Sequence, residues 1–139
     1  MSMNLKPIIL QLITEQDKHI NEIKARDRYF ESYLSSPQYN YEYKTVGLKV
    51  ARQCGKSTTI KDMYRPGDLI VVPRERMVEY YPRDMNVVSS GYFNEYRCRG
   101  RAEQRYGYIF LDESEHILKS EMEMIYRCTR ADWYIKLST

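Results

Sequence analysis

Apolar residues recur along the first quarter of the chain at close to helical intervals. Ile9, Ile13, Ile20, Ile23, Phe30 and Leu34 follow Asn4 and Pro7, while charged residues from Glu15 to Arg28 fill the other positions. This pattern predicts an amphipathic N-terminal helix. Ser35-Ser36-Pro37 reads as its stop, and a polar, tyrosine-rich connector follows from Gln38 to Tyr43. The pattern then changes. Thr45 to Val50 is rich in β-branched residues around Gly47, Leu69 to Val72 is a short apolar run between Arg65-Pro66-Gly67-Asp68 and Pro73, and Met85 to Ser89 is a third short segment. Each predicts a strand. Tyr108-Ile109-Phe110-Leu111 is the clearest strand, and Trp133 to Leu137 the last.

Between these lie helical stretches at Ser57–Tyr64, Arg74–Tyr81 and Gly91–Arg97, and at 115–129, where Leu118, Met122, Ile125 and Tyr126 share a helical spacing. Strands alternating with helices, with crossovers long enough for parallel connections, predict an α/β fold. The expected architecture is three-layered: a mainly parallel central sheet with helices on both faces, preceded by the amphipathic helix.

Composition narrows the class. With 139 residues, the chain has room for a single domain, here read as an N-terminal helical segment at 1–37 and a core at 44–139. Its 42% hydrophobic content and 14 tyrosines exclude a disordered tail. No apolar run approaches the roughly 20 residues that cross a bilayer, and Met1 to Lys6 lacks a signal-peptide core. A soluble, intracellular protein without a membrane partner is expected. A net charge of +3 is too mild to mark a nucleic-acid binder by itself. Cys54, Cys98 and Cys128 are widely spaced, which points to reduced thiols rather than a disulfide framework or zinc site.

Candidate chemistry begins between the first strand and the helix after it, at Val50-Ala51-Arg52-Gln53-Cys54-Gly55-Lys56-Ser57-Thr58. A phosphate-binding loop requires this strand–loop–helix context, because backbone N–H groups and a helix N-terminus together stabilise a polyphosphate. Residues Gln53 to Thr58 would line the phosphates, with Gly55 allowing close backbone approach. Lys56 would reach the β- and γ-phosphates of ATP and the Ser57 hydroxyl would ligate Mg²⁺. Val50 stands where the full pattern places its first glycine. Read alone, the string is also compatible with a solvated turn that starts a helix.

About 55 residues further on, Asp112 and Glu113 close the most apolar strand. Ligands of open α/β sheets bind at that edge. Asp112 suits a water-mediated hold on Mg²⁺, and Glu113 suits orienting or deprotonating a water that attacks the γ-phosphate. An acid directly after the metal-binding Asp favours hydrolysis over phosphotransfer to an acceptor. The structural alternative is that Asp112 caps the next helix, with Glu113 and Glu115 favouring its N-terminus.

These residues resemble the ATPase domain of the viral large terminase subunit, a DNA-packaging motor of the P-loop NTPase class. The string Arg52-Gln53-x-Gly55-Lys56-Ser57-Thr58 is similar to that family's loop, which tolerates loss of the first glycine. Arg99-Gly100 ahead of Ile109 to Glu113 is similar to the Arg-Gly preceding its acidic strand. The resemblance covers residues 45–139 and the N-terminal helix is similarly placed to the segment before the family's loop. It implies ATP and Mg²⁺ as ligands. It also implies a coupling role for Ser138 and Thr139, which relay hydrolysis to DNA movement, and a γ-phosphate-sensing or transition-state role for Arg52. The residues alone read Arg52 equally as a solvent-facing loop cation.

Double-stranded DNA, other viral packaging proteins and self-association are the partners implied, and host cytoplasm the compartment. The family's metal-dependent nuclease has no matching acid cluster here, so no nuclease domain is expected. Arg97, Arg99, Arg101 and Arg105, interleaved with Tyr96 and Tyr106, form the candidate DNA contact, against the alternative of a solvated loop. Arg74, Arg76 and Arg83 near Tyr80 and Tyr81 are a second basic-aromatic region, and His19 and His116 read as surface residues. The functional expectation is a Mg²⁺-dependent ATPase coupled to DNA or a partner protein. The alternative is a reduced P-loop module that binds or regulates a partner with little or no catalysis.

Overall fold

The fold is described from a computed structural model, covering residues 4–51, 55–98 and 103–139. Helix α1 (Lys6–Arg26) leads through a 3₁₀ turn (Phe30–Tyr33) to α2 (Ser36–Tyr43), and strand β1 (Thr45–Lys49) is followed by α3 (Lys56–Met63). Strand β2 (Leu69–Val72), a 3₁₀ segment (Glu75–Tyr80) and β3 (Val87–Ser89) come next. The short α4 (Ser90–Tyr92) continues as a π-helical turn to Cys98. Then come β4 (Gln104–Asp112), a 3₁₀ turn (Ser114–His116), α5 (Lys119–Cys128) and β5 (Thr129–Ser138).

The five strands form one sheet in the order β1-β5-β4-β2-β3, and every pairing in it is parallel. Parallel sheets are covered on both faces, so their strands read as continuous apolar runs; all four residues of β2 are buried. Two apolar clusters fill the layers. Ile70, Phe110, Ile135 and Leu137 pack with Ile9 and Ile20 of α1 and Ile60 and Met63 of α3. Val71, Ile109, Leu111 and Tyr134 pack with Ile125 and Tyr126 of α5 and with Phe93. Alternate residues of one strand therefore serve opposite helical layers, giving the expected α/β fold with helices on both faces.

The N-terminal region departs from the expectation. The helix stops at Arg26, Asp27 being extended, and Ser35-Ser36-Pro37 opens a helix where the pattern predicts an end. Ser35 is an N-cap whose Oγ accepts from the Gln38 N–H at 3.3 Å, and Pro37 lies in the first turn, where its missing N–H costs nothing. The supposed connector is thus α2. Its Tyr39 and Tyr43 pack on buried Phe30, with ring centroids 6.2 and 5.2 Å from it. The long helix expected at 115–129 is likewise split into the 3₁₀ turn and α5, and β4 and β5 extend beyond their apolar centres.

Leu5 N donates to Thr59 Oγ1 at 3.0 Å, which ties the start of α1 to α3. At the amino end of the sheet, buried Asp68 accepts from Tyr108 N at 2.8 Å and Arg65 N at 2.9 Å. Among the described residues no helix is long and apolar enough to cross a membrane.

Candidate functional site

Since all strands run the same way, β1, β5 and β4 end at one edge. Lys49 lies in register with Ser138, and Leu137 with Asp112. The hydrogen bond from Val50 N to Ser138 O, 2.9 Å, continues the β1–β5 ladder to the mouth of the loop. The chain leaves β1 across two strands to β2, whereas from β4 it returns toward β1 as β5. Such a reversal opens a crevice at the carboxyl edge.

Arg52, Gln53 and Cys54 lie outside the described residues, as do Arg99, Gly100 and Arg101. Gly55 is the N-cap of α3 at φ 85°, ψ 28°, a left-handed conformation that glycine adopts without a Cβ clash. It directs the chain into the helix, and the amides of the first turn lack helical acceptors. Lys56 opens α3 and is buried. Its Nζ donates to Glu113 Oε1 at 3.0 Å and to Thr139 Oγ1 at 2.5 Å. Ser57 is half-buried beside it, and Thr58 is exposed.

Asp112 ends β4 and is 4% exposed. Its Oδ2 accepts from Tyr81 Oη at 2.6 Å, but Oδ1, equally buried, has no hydrogen-bond partner among the described residues. Burial pushes this carboxyl above its ordinary range, against the opposing effects of the Tyr81 hydrogen bond and the Lys56 charge. Glu113 goes the other way. Burial opposes its ionisation, but the hydrogen bond and charge of Lys56, with smaller help from Glu115 and His116, hold it below the usual range. Two adjacent acids are thus driven apart, the pattern of carboxylates with different tasks.

Glu113 is the one non-glycine residue with positive φ among those described, at φ 50°, ψ 45°. Such a backbone costs about 1–2 kcal/mol and is held by its surroundings. It ends the strand abruptly and directs the Glu113 side chain to Lys56 while Asp112 remains in the strand. Glu115 accepts a short hydrogen bond from Thr139 N. His116 Nε2 is 4.0 Å from Glu113 Oε2 and the ring is exposed.

The residues present suit a hard cation. Buried carboxylate oxygen Oδ1 of Asp112 lacks a partner among the described residues, and Ser57, in the first turn of α3, carries a hydroxyl; oxygen donors of this kind are what Mg²⁺ selects. No protein-family model, curated protein or solved structure matches this chain. The site stands on its own geometry.

Sequence reasoning named Lys56, Asp112, Glu113 and Thr139, and the structure brings all four to one edge. Ser138 is at the same edge but takes part through its backbone carbonyl. Of the arginine run, only Arg97 and Arg105 are among the described residues. Arg97 is half-buried and donates to Asn86 Oδ1 at 3.0 Å. Exposed Arg105 lies near the start of β4, seven strand residues or roughly 23 Å from Asp112. In the second basic region Arg74, Arg76, Arg83 and Tyr80 are exposed, but Tyr81 turns inward and is 5% exposed. Sequence reasoning missed Tyr81 because nothing in the sequence links it to an acid 31 residues away. His19 and His116 are exposed as expected, although His116 does have an acidic neighbour in Glu113.

Proposed function

We propose that this chain is a Mg²⁺-dependent ATPase with a three-layer P-loop NTPase fold, similar in mechanism to the terminase packaging ATPase, whose hydrolysis is coupled to DNA or a partner protein. The observation that carries this reading is the meeting of Lys56 with Glu113, beside Asp112, at the carboxyl edge of a parallel sheet. A helix cap alone explains neither the burial of Lys56 nor the backbone strain at Glu113.

In this reading the first-turn amides of α3 and Lys56 bind the β- and γ-phosphates. Ser57 and Asp112 would hold Mg²⁺, which when bound would neutralise charge on the transferring phosphoryl group. Glu113, ionised at neutral pH, orients the attacking water and accepts its proton. Lys56 must leave Glu113 and Thr139 to reach phosphate. That exchange frees Glu113 for water and releases Thr139, so phosphate binding and the end of β5 share one side chain. This gives the coupling role of Ser138 and Thr139 a physical route. Arg52 is assigned to the γ-phosphate by resemblance alone, and Arg99 and Arg101 to DNA by the basic-aromatic pattern of the sequence alone.

Phosphate release from purified protein, with and without double-stranded DNA and beside Glu113→Gln, tests the proposal. Loss of a positioned general base lowers the rate about 10²–10⁴-fold. Equal release by both proteins removes Glu113 from the mechanism.

A second reading, a P-loop module that acts by occupying a partner, is favoured by one observation: Lys56 is already satisfied by Glu113 and Thr139, so nucleotide must displace both contacts. Nucleotide binding without release under every condition supports this module.

A further inference from the structure

Tyr81 lies directly after the 3₁₀ segment Glu75–Tyr80 that follows β2, with its N–H bonded to Val78 O at 3.3 Å. Its ring enters the layer between α3 and the sheet, where Lys61 Nζ sits 5.6 Å from the ring centroid. Phenol and carboxylate are both buried, and their 2.6 Å hydrogen bond engages one Asp112 oxygen, while the other has no partner among the described residues.

We propose that Tyr81 is a positioning residue: its phenol fixes the plane of the Asp112 carboxylate so that Oδ1 is the oxygen offered to a divalent cation. The inference rests on the reading of Asp112 as the metal carboxylate. A carboxylate exchanges its two oxygens by rotation about its terminal torsion, which is broad and roughly two-fold. In water both oxygens are solvated and the choice is immaterial. In this buried setting a donor to Oδ2 makes the two oxygens unequal, because the phenol can donate one hydrogen bond and cannot follow the rotation. Oδ1 then bears the cost of burial without a partner, and a cation in place of the missing donor removes that cost.

Groups that hydrogen-bond a metal ligand and set its orientation are worth 10–100-fold in metal affinity. The contact also joins the segment after β2 to the end of β4. A chain in which Tyr81 served packing alone would lose nothing in metal affinity with phenylalanine there, because the ring is retained.

The test compares the full chain with Tyr81→Phe in two readouts. Mn²⁺ binding in the presence of ADP is followed by electron paramagnetic resonance, and the Mg²⁺ dependence of phosphate release is measured at saturating ATP. The expected result is a rise of about 10–100-fold in the Mn²⁺ dissociation constant and in the KM for Mg²⁺. The kcat at saturating Mg²⁺ should stay within about twofold, the signature of lost binding rather than lost chemistry.

Equal Mn²⁺ affinity in both proteins overturns the role of Tyr81 and leaves the ATPase reading intact. If the unaltered chain neither retains Mn²⁺ nor releases phosphate, the metal-site reading fails and this inference with it. Should Tyr81→Phe not fold, 3-fluorotyrosine at position 81 keeps ring and donor. Its ¹⁹F resonance should broaden with one equivalent of Mn²⁺, and an unchanged line overturns the proposal.

Discussion

Lys56 and Glu113 are 57 positions apart in sequence, yet Nζ of one and Oε1 of the other lie 3.0 Å apart at the carboxyl edge of the sheet. The lysine side chain is 9% exposed and that of the glutamate 29%. A buried ammonium costs free energy unless its donors are hydrogen-bonded, and here Lys56 Nζ has a carboxylate and a hydroxyl. On the proposed reading, a triphosphate would have to displace both contacts to reach the lysine.

The left-handed backbone of Glu113 gives a stability prediction that is separate from catalysis. Glu113→Ala and Glu113→Gly both remove the side chain and its pair with Lys56, so their difference reports on the backbone. Glycine should be the more stable of the two by about 1 kcal/mol, measured by urea unfolding. Equal stability, or a more stable alanine variant, removes the claim of strain.

Asp112 gives a pH dependence whose sign follows from its burial. Its carboxyl is raised above the ordinary range in the fold, so the folded protein holds this proton more tightly than the unfolded chain. Ionised Asp112 therefore costs stability at neutral pH, and the cost disappears as pH falls through the raised value toward the ordinary carboxylate range near about 4. Without Mg²⁺, Asp112→Asn should melt above the parent chain at pH 7, with the gap closing by about pH 4. A lower melting temperature for the asparagine variant at pH 7 contradicts this.

How much of this was legible in the sequence follows from what each signal is made of. The parallel sheet could be read because β2 and the centre of β4 are short apolar runs, and the site because Lys56 and Asp112-Glu113 stand where strands end. Helix α2 was not legible. Pro occurs both shortly after helices and in their first turn, and the hydrogen bond from Gln38 N–H to Ser35 Oγ decides which. Tyr81 and the backbone of Glu113 were hidden for another reason: each depends on contacts that exist only once the chain has folded.

Gly107 separates two kinds of glycine. A Cβ there would come within 2.5 Å of Asp68 Oδ1, and that carboxylate is pinned by two backbone N–H groups. Gly107→Ala should destabilise by about 1–3 kcal/mol. At Gly47 the nearest atom lies 3.9 Å from such a Cβ, so Gly47→Ala should fall within about 0.5 kcal/mol of the parent. Urea unfolding of both variants checks the contrast, and similar values for the two would contradict the close approach.

Cys98 and Cys128 should differ in reactivity. Burial, and then the hydrogen bond with the Cys128 thiol, pushes the Cys98 thiol well above its ordinary range. Cys98 is buried and Cys128 only half-buried. Because the thiolate is the reactive form, iodoacetamide should modify Cys128 before Cys98 in the folded chain, as read by peptide mass mapping. Faster labelling of Cys98 would overturn this assignment.

Calorimetric titration with Mg-ATP tests the central claim most directly, because it reads nucleotide binding itself rather than turnover. The unaltered chain should bind Mg-ATP, and Lys56→Ala should bind at least about tenfold more weakly, as expected for loss of a charged phosphate contact worth roughly 1.5–3 kcal/mol. No heat of binding at millimolar nucleotide, or equal affinity in the two proteins, contradicts it.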